Sequence, residues 1–275
     1  MQSGVYPSAA IRHGGRNDMI SNGLALAGKK GLIIGLADAR SIAWGCAQVL
    51  HECGAEFVLT CVSEKARVAV QPLADSLGAE LVVLDFRQEG DLEKVMADLA
   101  VRWGAVDFVI HSAAYAPHDA LANGLIECPA DSFAQAMDLS CHSFVRTARA
   151  ARSLMSEGGS LLAMSYLGGE RVIDGYAVMG CVKAALESVV RVLASELGGQ
   201  GIRVNAVSPG PIVTRAAGGL QHFDAMVAYA HDRSPLKRDV GIEDVGWMAA
   251  FLVSERAAAV TGDTHYVDAG VNIMG

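Results

Sequence analysis

The chain has 275 residues, 52% of them hydrophobic, with 30 glycines and 7 prolines, which describes a core-rich globular protein of one large domain or two small ones. A formal net charge of -8, without any block of consecutive lysines and arginines, argues against nucleic acid as a partner. No apolar run approaches the roughly 20 residues of a membrane span, and six scattered cysteines without a C-x-x-C pair fit a reduced, cytoplasmic compartment.

Residues 1–24 lack periodicity and the apolar centre of a signal peptide, and they read as a disordered arm, with Met19 as an alternative initiator. From residue 25 onward short apolar runs alternate with helical patterns. Residues 32–36 read as a buried strand, 41–53 as a helix closed by Gly54, 56–61 as a second strand and 64–77 as a helix containing Pro72. A strand at 81–84, a helix at 91–103, a strand at 106–110, one long helix over 131–155 and a strand at 160–165 come next. The chain closes with a helix at 176–197, a strand at 202–207, an irregular stretch to about 240, a helix at 242–252 and a strand at 264–267. This alternation predicts one α/β domain over 25–275, a doubly wound, seven-stranded parallel sheet with helices on both faces. Ligands of such sheets bind beyond the carboxyl ends of the strands, where Gly35, Asp85, Ser112, Ser165 and Gly210 fall.

The stretch from Ser165 to Lys183 is the densest in reactive groups. Tyr176 and Lys183 stand seven residues apart, about two helical turns, so both project from nearly the same face. An ammonium near a phenol favours the phenolate, and the pair suits a site that hydrogen-bonds a developing oxyanion. Tyr166 adds a second aromatic hydroxyl at the end of a strand. Alone, Tyr-x6-Lys is an ordinary pair of helix residues, and the rest of the chain gives it weight. After the first strand, Gly35 permits a tight turn, Ser41 is placed to cap a helix or bond an anion, and the free N–H groups at Ile42 favour a pyrophosphate. Asp85 and Phe86 offer an adenine a carboxylate and a backbone group, with a turn or helix cap as the local alternative for Asp85. His111 reads as a satisfied strand-end histidine, and no Cys or His spacing supports a metal site.

With Gly35-x5-Ser41-Ile42-Ala43, Asp85, His111-Ser112, Ser165-Tyr166-Leu167-Gly168, Tyr176-x6-Lys183 and Gly210-Pro211-Ile212-x-Thr214 in this order, the chain resembles the short-chain dehydrogenase/reductases, a Rossmann-fold superfamily. It is most similar to their divergent branch, the NADH-dependent enoyl-acyl-carrier-protein reductases of bacterial type II fatty acid synthesis. The discriminating feature is the Tyr-to-Lys spacing, since ordinary members carry Tyr-x3-Lys and here Gly180 follows Tyr176 by four. The resemblance implies that Tyr176 donates to the substrate carbonyl, Lys183 anchors the nicotinamide ribose and Tyr166 is the second active-site tyrosine. It implies further that Gly35, Ser41 and Ile42 line the pyrophosphate, Asp85 and Phe86 the adenine, Ala113, Ile212 and Thr214 the nicotinamide end, and Ala116 the acyl substrate. The reaction implied is hydride transfer from NADH to the β-carbon of a trans-2-enoyl thioester carried on acyl carrier protein or coenzyme A.

Coenzyme choice rests on the run Cys61-Val62-Ser63-Glu64, which offers no basic residue to a 2′-phosphate and favours NADH. Arg40, Lys65 and Arg67 keep NADPH open. Gly218-Gly219 and the apolar patch Phe223, Met226, Val227 and Tyr229 read as a lid over the acyl chain, within a substrate loop of about 212–240. The family usually shows Ile-Gly after His-Ser and Arg-Thr-Leu in the loop, whereas this chain has Ala113-Ala114, then Tyr115, and Val213-Thr214-Arg215. Two other readings compete: a carbonyl or alcohol reductase of the same fold, and a catalytically silent dinucleotide binder. The resemblance also implies a homotetramer, for which the small residues Ala184, Ala185 and Ser188 suit close helix packing.

Overall fold

The computed structural model describes residues 24, 26–122, 124–214 and 223–274. The expected arm apart from Leu24, Gly218-Gly219 and Arg215 lie outside the described residues. Seven strands, β1 (Lys30–Ile34), β2 (Glu56–Cys61), β3 (Glu80–Val83), β4 (Phe108–His111), β5 (Gly159–Met164), β6 (Ile202–Pro209) and β7 (Thr264–Val267), form one sheet. Their order is β3-β2-β1-β4-β5-β6-β7, and every neighbouring pair runs parallel. The helices are α1 (Ile42–Glu52), α2 (Glu64–Ser76), α3 (Asp91–Trp103), the short α4 (His118–Ala122), α5 (Ala130–Met137), α6 (Ser143–Ala151), α7 (Ala177–Leu197), α8 (Phe223–Arg233) and α9 (Ile242–Val253).

Alternate residues of a strand point to opposite faces, and a parallel sheet buries both, so its strands are apolar throughout. Ile33, Leu59, Phe108, Ile110 and Leu162 join one core with α1, α2 and α9. Leu32, Ile34, Val58, Val109 and Leu161 join the other with α3, α5, α6 and α7. The strand order reverses between β1 and β4, and the crevice at such a switch point is where this fold class holds its ligand.

The expected fold is present, with differences of detail, among them α8 and the end of β6 at Pro209 within the stretch expected to be irregular to about 240. β1 ends at Ile34, since Gly35 leaves the strand at φ +107° and the N–H groups of Gly35 and Leu36 both turn to the Thr60 carbonyl. β4 begins only at Phe108, because the N–H of Val106 donates to Leu154 and that of Asp107 to Lys30. The long helix expected over 131–155 is α5 and α6 joined by a π turn, Asp138–His142, and followed by a single 3-10 turn, Arg152–Leu154.

Candidate active site

The switch point is assembled around Gly35. A Cβ there would lie 2.5 Å from the Ser112 carbonyl oxygen, so only glycine, already in a left-handed conformation, lets the β1–α1 loop pass the end of β4. Ser41 is the N-cap residue of α1, but its side chain makes no cap bond; its hydroxyl donates to the Asp38 carbonyl at 2.6 Å. The first N–H groups of α1 therefore keep the orientation of a helix start with no side chain of Ser41 over them, the arrangement that receives anions. Ile42 packs its side chain against the core shared by α1 and α9.

Three groups collect at the end of β5. Lys183 is buried on α7 and donates its ammonium to the Met164 carbonyl at 2.6 Å. One turn further along α7, the Glu187 carboxylate accepts from the Ser165 hydroxyl at 2.5 Å. Two successive residues of the strand end are thus tied to two successive turns of the helix, and Tyr166 follows directly. Its ring meets that of Tyr176 edge-on, with centroids 4.7 Å apart and planes at 68°.

The loop between the tyrosines lies on α7 backbone to backbone. A Cβ on Gly180 would stand 2.8 Å from the Gly168 carbonyl oxygen, and one on Gly168 would stand 2.4 Å from the Tyr176 ring. No lysine fits four residues after Tyr176, so the common Tyr-x3-Lys arrangement has no room here and the cation comes from Lys183. Arg171, further along this loop, donates to the carbonyls of Asn272 (2.6 Å) and Met274 (2.7 Å) and fastens the C-terminal segment to it.

Burial sets the protonation states. It pushes the Lys183 ammonium down to about 8, against smaller opposing effects of Cys141 and Glu187. It pushes the Tyr166 phenol up to about 12, and raises that of Tyr176 further, with Tyr166 adding to the rise. Desolvation of the hydroxyl outweighs any pull of the ammonium toward a phenolate, and Tyr176 stays a neutral donor. Burial also drives His111 down to about 3, so its ring is neutral. The Ser143 hydroxyl gives its one proton to the Leu139 carbonyl, which leaves His111 Nε2–H to donate to Ser143 Oγ across 2.9 Å. His111 is a satisfied core histidine, as its position at a strand end predicts.

At the expected adenine end, both oxygens of Asp85 accept from the Arg87 guanidinium, with the closest contact at 2.7 Å, and Oδ1 also accepts from the Arg87 N–H at 3.0 Å. Arg87 holds the carboxyl below its ordinary range. This is the turn-forming role open to Asp85 in the sequence, and an adenine contact there would compete with Arg87. Phe86 packs its ring 5.5 Å from that of His111 and lies under the Arg146 guanidinium. Val62 is half exposed after β2, and Ser63 caps α2 by accepting from Ala66 N–H. Arg40 pairs with Asp38 and Arg67 with Glu64, both at the surface.

Ala113 and Ala116, beyond β4, are partly buried against the core under α7. Ile212 leans on the opposite core, and the Thr214 N–H donates back to the Ile212 carbonyl at 2.8 Å. The expected apolar patch falls on α8, whose Val227, Ala230 and His231 line a small recess with Gly210, Pro211, Arg238, Asp239, Val240, Asp268 and Val271. Sequence reasoning missed Ser140, Glu187 and Arg171 as site-forming groups. The run Ser165-Tyr166-Leu167-Gly168 marks the start of the loop, but nothing local tells which helix residues receive it.

A doubly wound parallel sheet with a tight glycine turn at its switch point and a buried Tyr–Tyr–Lys cluster at the next strand defines a dinucleotide-dependent reductase as the class. The model of the enoyl-(acyl carrier protein) reductase family matches residues 35–272. Over 249 residues the chain is 43% identical to enoyl-acyl-carrier-protein reductase (NADH) 1 of Rhizobium meliloti strain 1021, covering 90% of this chain and 92% of that one. The crystal structure of the Anaplasma phagocytophilum enoyl-acyl-carrier-protein reductase in complex with NAD superposes with a TM-score of 0.88 at 40% identity, covering 91% and 96% of the two chains. That of the Bacillus cereus enzyme with NADP+ and an indole naphthyridinone gives 0.89 at 39% identity, covering 91% and 99%. The chain belongs to the enoyl-(acyl carrier protein) reductase family.

Proposed function

We infer that this chain is the NADH-dependent reductase of trans-2-enoyl thioesters, with Tyr176 as donor to the thioester oxygen and Lys183 as the anchor of the nicotinamide ribose. The observation that carries the reading is the buried cluster at the end of β5, where two neutral phenols meet edge-on beside a lysine tied to the strand end. The residues fit a dinucleotide: a glycine turn and a helix start at the switch point, and an ammonium with protons to donate besides the one on Met164. Bound NADH supplies a hydride to the β-carbon of the enoyl group, which places negative charge on the thioester oxygen.

Tyr176 serves that charge. Its raised pKa keeps the proton on the phenol at working pH, so it donates a hydrogen bond that strengthens as the oxygen becomes an enolate. Tyr166, held by the Ser165–Glu187 bond, braces the Tyr176 ring and excludes water from its flank. Ala113, Ile212 and Thr214 frame the nicotinamide end and Ala116 the acyl chain. Asp85 and Phe86 mark the adenine end, and α8, over a recess lined by both apolar and charged residues, is the lid. Acyl carrier protein is the carrier, the compartment is cytoplasmic, and NADPH is the lesser coenzyme because Val62-Ser63-Glu64 after β2 offer no basic group to a 2′-phosphate, while Arg40 and Arg67 pair with carboxylates and leave Lys65. No helix among the described residues is long and apolar enough to cross a membrane.

The test is the loss of reduced-nicotinamide absorbance on mixing the protein with NADH or NADPH and a medium-chain trans-2-enoyl thioester. Enoyl-dependent oxidation, faster with NADH and reduced by roughly 10²- to 10³-fold in Tyr176→Phe at unchanged NADH affinity, is the expected result. A folded protein that binds NADH and oxidises none would overturn the reading.

A further inference from the structure

The π turn Asp138–His142 adds a residue where the sequence predicts one continuous helix, and such turns re-aim the side chains that follow and concentrate at functional sites. Here the turn and the residue after it address the carboxyl end of the sheet three times. Ser140 meets Tyr115, Cys141 couples electrostatically to Lys183, and Ser143 holds His111.

The Ser140 contact is the tightest. Its hydroxyl, fully buried, accepts from the Tyr115 N–H at 2.7 Å and donates to the Tyr115 carbonyl at 2.7 Å, so one atom clamps both polar groups of one residue. The other end of the same loop is held by Ser112, whose N–H donates to the Ile34 carbonyl at 3.0 Å and whose carbonyl abuts Gly35. Between these fixed points lie only Ala113 and Ala114, whose methyl groups anchor nothing by hydrogen bonding. The path of the backbone past the nicotinamide end is therefore set by its two ends.

We propose that Ser140 is a positioning residue for hydride transfer, acting through the Tyr115 backbone to hold Ala113 and Ala116 at their distances from nicotinamide and acyl chain. The inference rests on the reductase reading. Serine is suited to the task because a hydroxyl is donor and acceptor at a single atom, whereas alanine leaves both Tyr115 groups unpaired and cysteine keeps the volume with weaker bonds.

Ser140→Ala and Ser140→Cys are to be compared with the wild type in three measurements. These are hydrogen–deuterium exchange of the peptide spanning 112–116, kcat/KM for a trans-2-enoyl thioester, and the primary isotope effect with NADH deuterated at the transferred position. Ser140→Ala should speed exchange, lower kcat/KM by roughly ten- to a hundredfold and raise the isotope effect while NADH affinity holds, with Ser140→Cys between it and the wild type. Unchanged exchange, or faster exchange with unaltered kcat/KM and isotope effect, would overturn the proposal. If Ser140→Ala does not fold, Ser140→Cys carries the same comparison. A wild type inactive on every enoyl thioester would instead sink the reductase reading and the positioning role with it, while exchange would still decide whether the clamp forms.

Discussion

Lys183, in the candidate active site, has a folded pKa of about 8 against an ordinary 10.5, because the loss of hydration on burial outweighs the charge stabilisation from Cys141 and Glu187. The unfolded chain then holds one more proton than the folded one between those two values, so this group's contribution to stability rises with pH across that window. In the proposed role as ribose anchor, cofactor binding follows the opposite course, since a neutral amine holds ribose hydroxyls less well than an ammonium. NADH affinity should fall as pH rises through about 8 in the wild type, and Lys183→Arg, which stays charged, should flatten that dependence in a fluorescence titration. Tyr176 behaves differently: its pKa is raised, so no loss of activity between pH 6 and about 9 should trace to its ionisation.

The elements that hold these residues are joined by contacts too close for any side chain. The 166–175 loop rests on α7 where Gly168 faces both Gly180 and the Tyr176 ring. Gly168→Ala should push that ring off its position and lower kcat by roughly ten- to a hundredfold, measured by the same absorbance assay. Gly199, beyond the end of α7, has open space around its Cβ position, and Gly199→Ala should change stability by no more than about 0.5 kcal/mol in a denaturant melt. Arg171 joins the same loop to the last residues of the chain, so Arg171→Ala should loosen the C-terminal segment first, seen as faster hydrogen exchange of residues 268–274.

At the scale of the whole molecule, α7 buries one face against the sheet and presents Ala184, Ser188 and Val192 outward, Val192 at 52% exposure. Small and apolar residues at helical spacing suit a close helix–helix contact between copies, which is the support for the proposed homotetramer. Light scattering should give four times the chain mass, and Ala184→Glu with Val192→Glu should shift the population to smaller species, each carboxylate losing its water if the contact formed.

The β-α alternation is legible in the sequence because a parallel sheet buried on both faces needs apolar strands, and the glycines at 35, 54 and 198 punctuate the elements. The Tyr176–Lys183 spacing and the strand-end position of Tyr166 are legible for the same reason: helical and extended repeats carry side chains to known places. Protonation states and the Ser165–Glu187 bond were decided only by tertiary structure, since each depends on desolvation or on a partner brought from another element, whereas the Asp85–Arg87 pair is local to one turn. The π turn that aims Ser140 at Tyr115 belongs there too. Its residues read as plain helix in sequence, and only the packing of α5 and α6 against the end of β4 gives the extra residue somewhere to go.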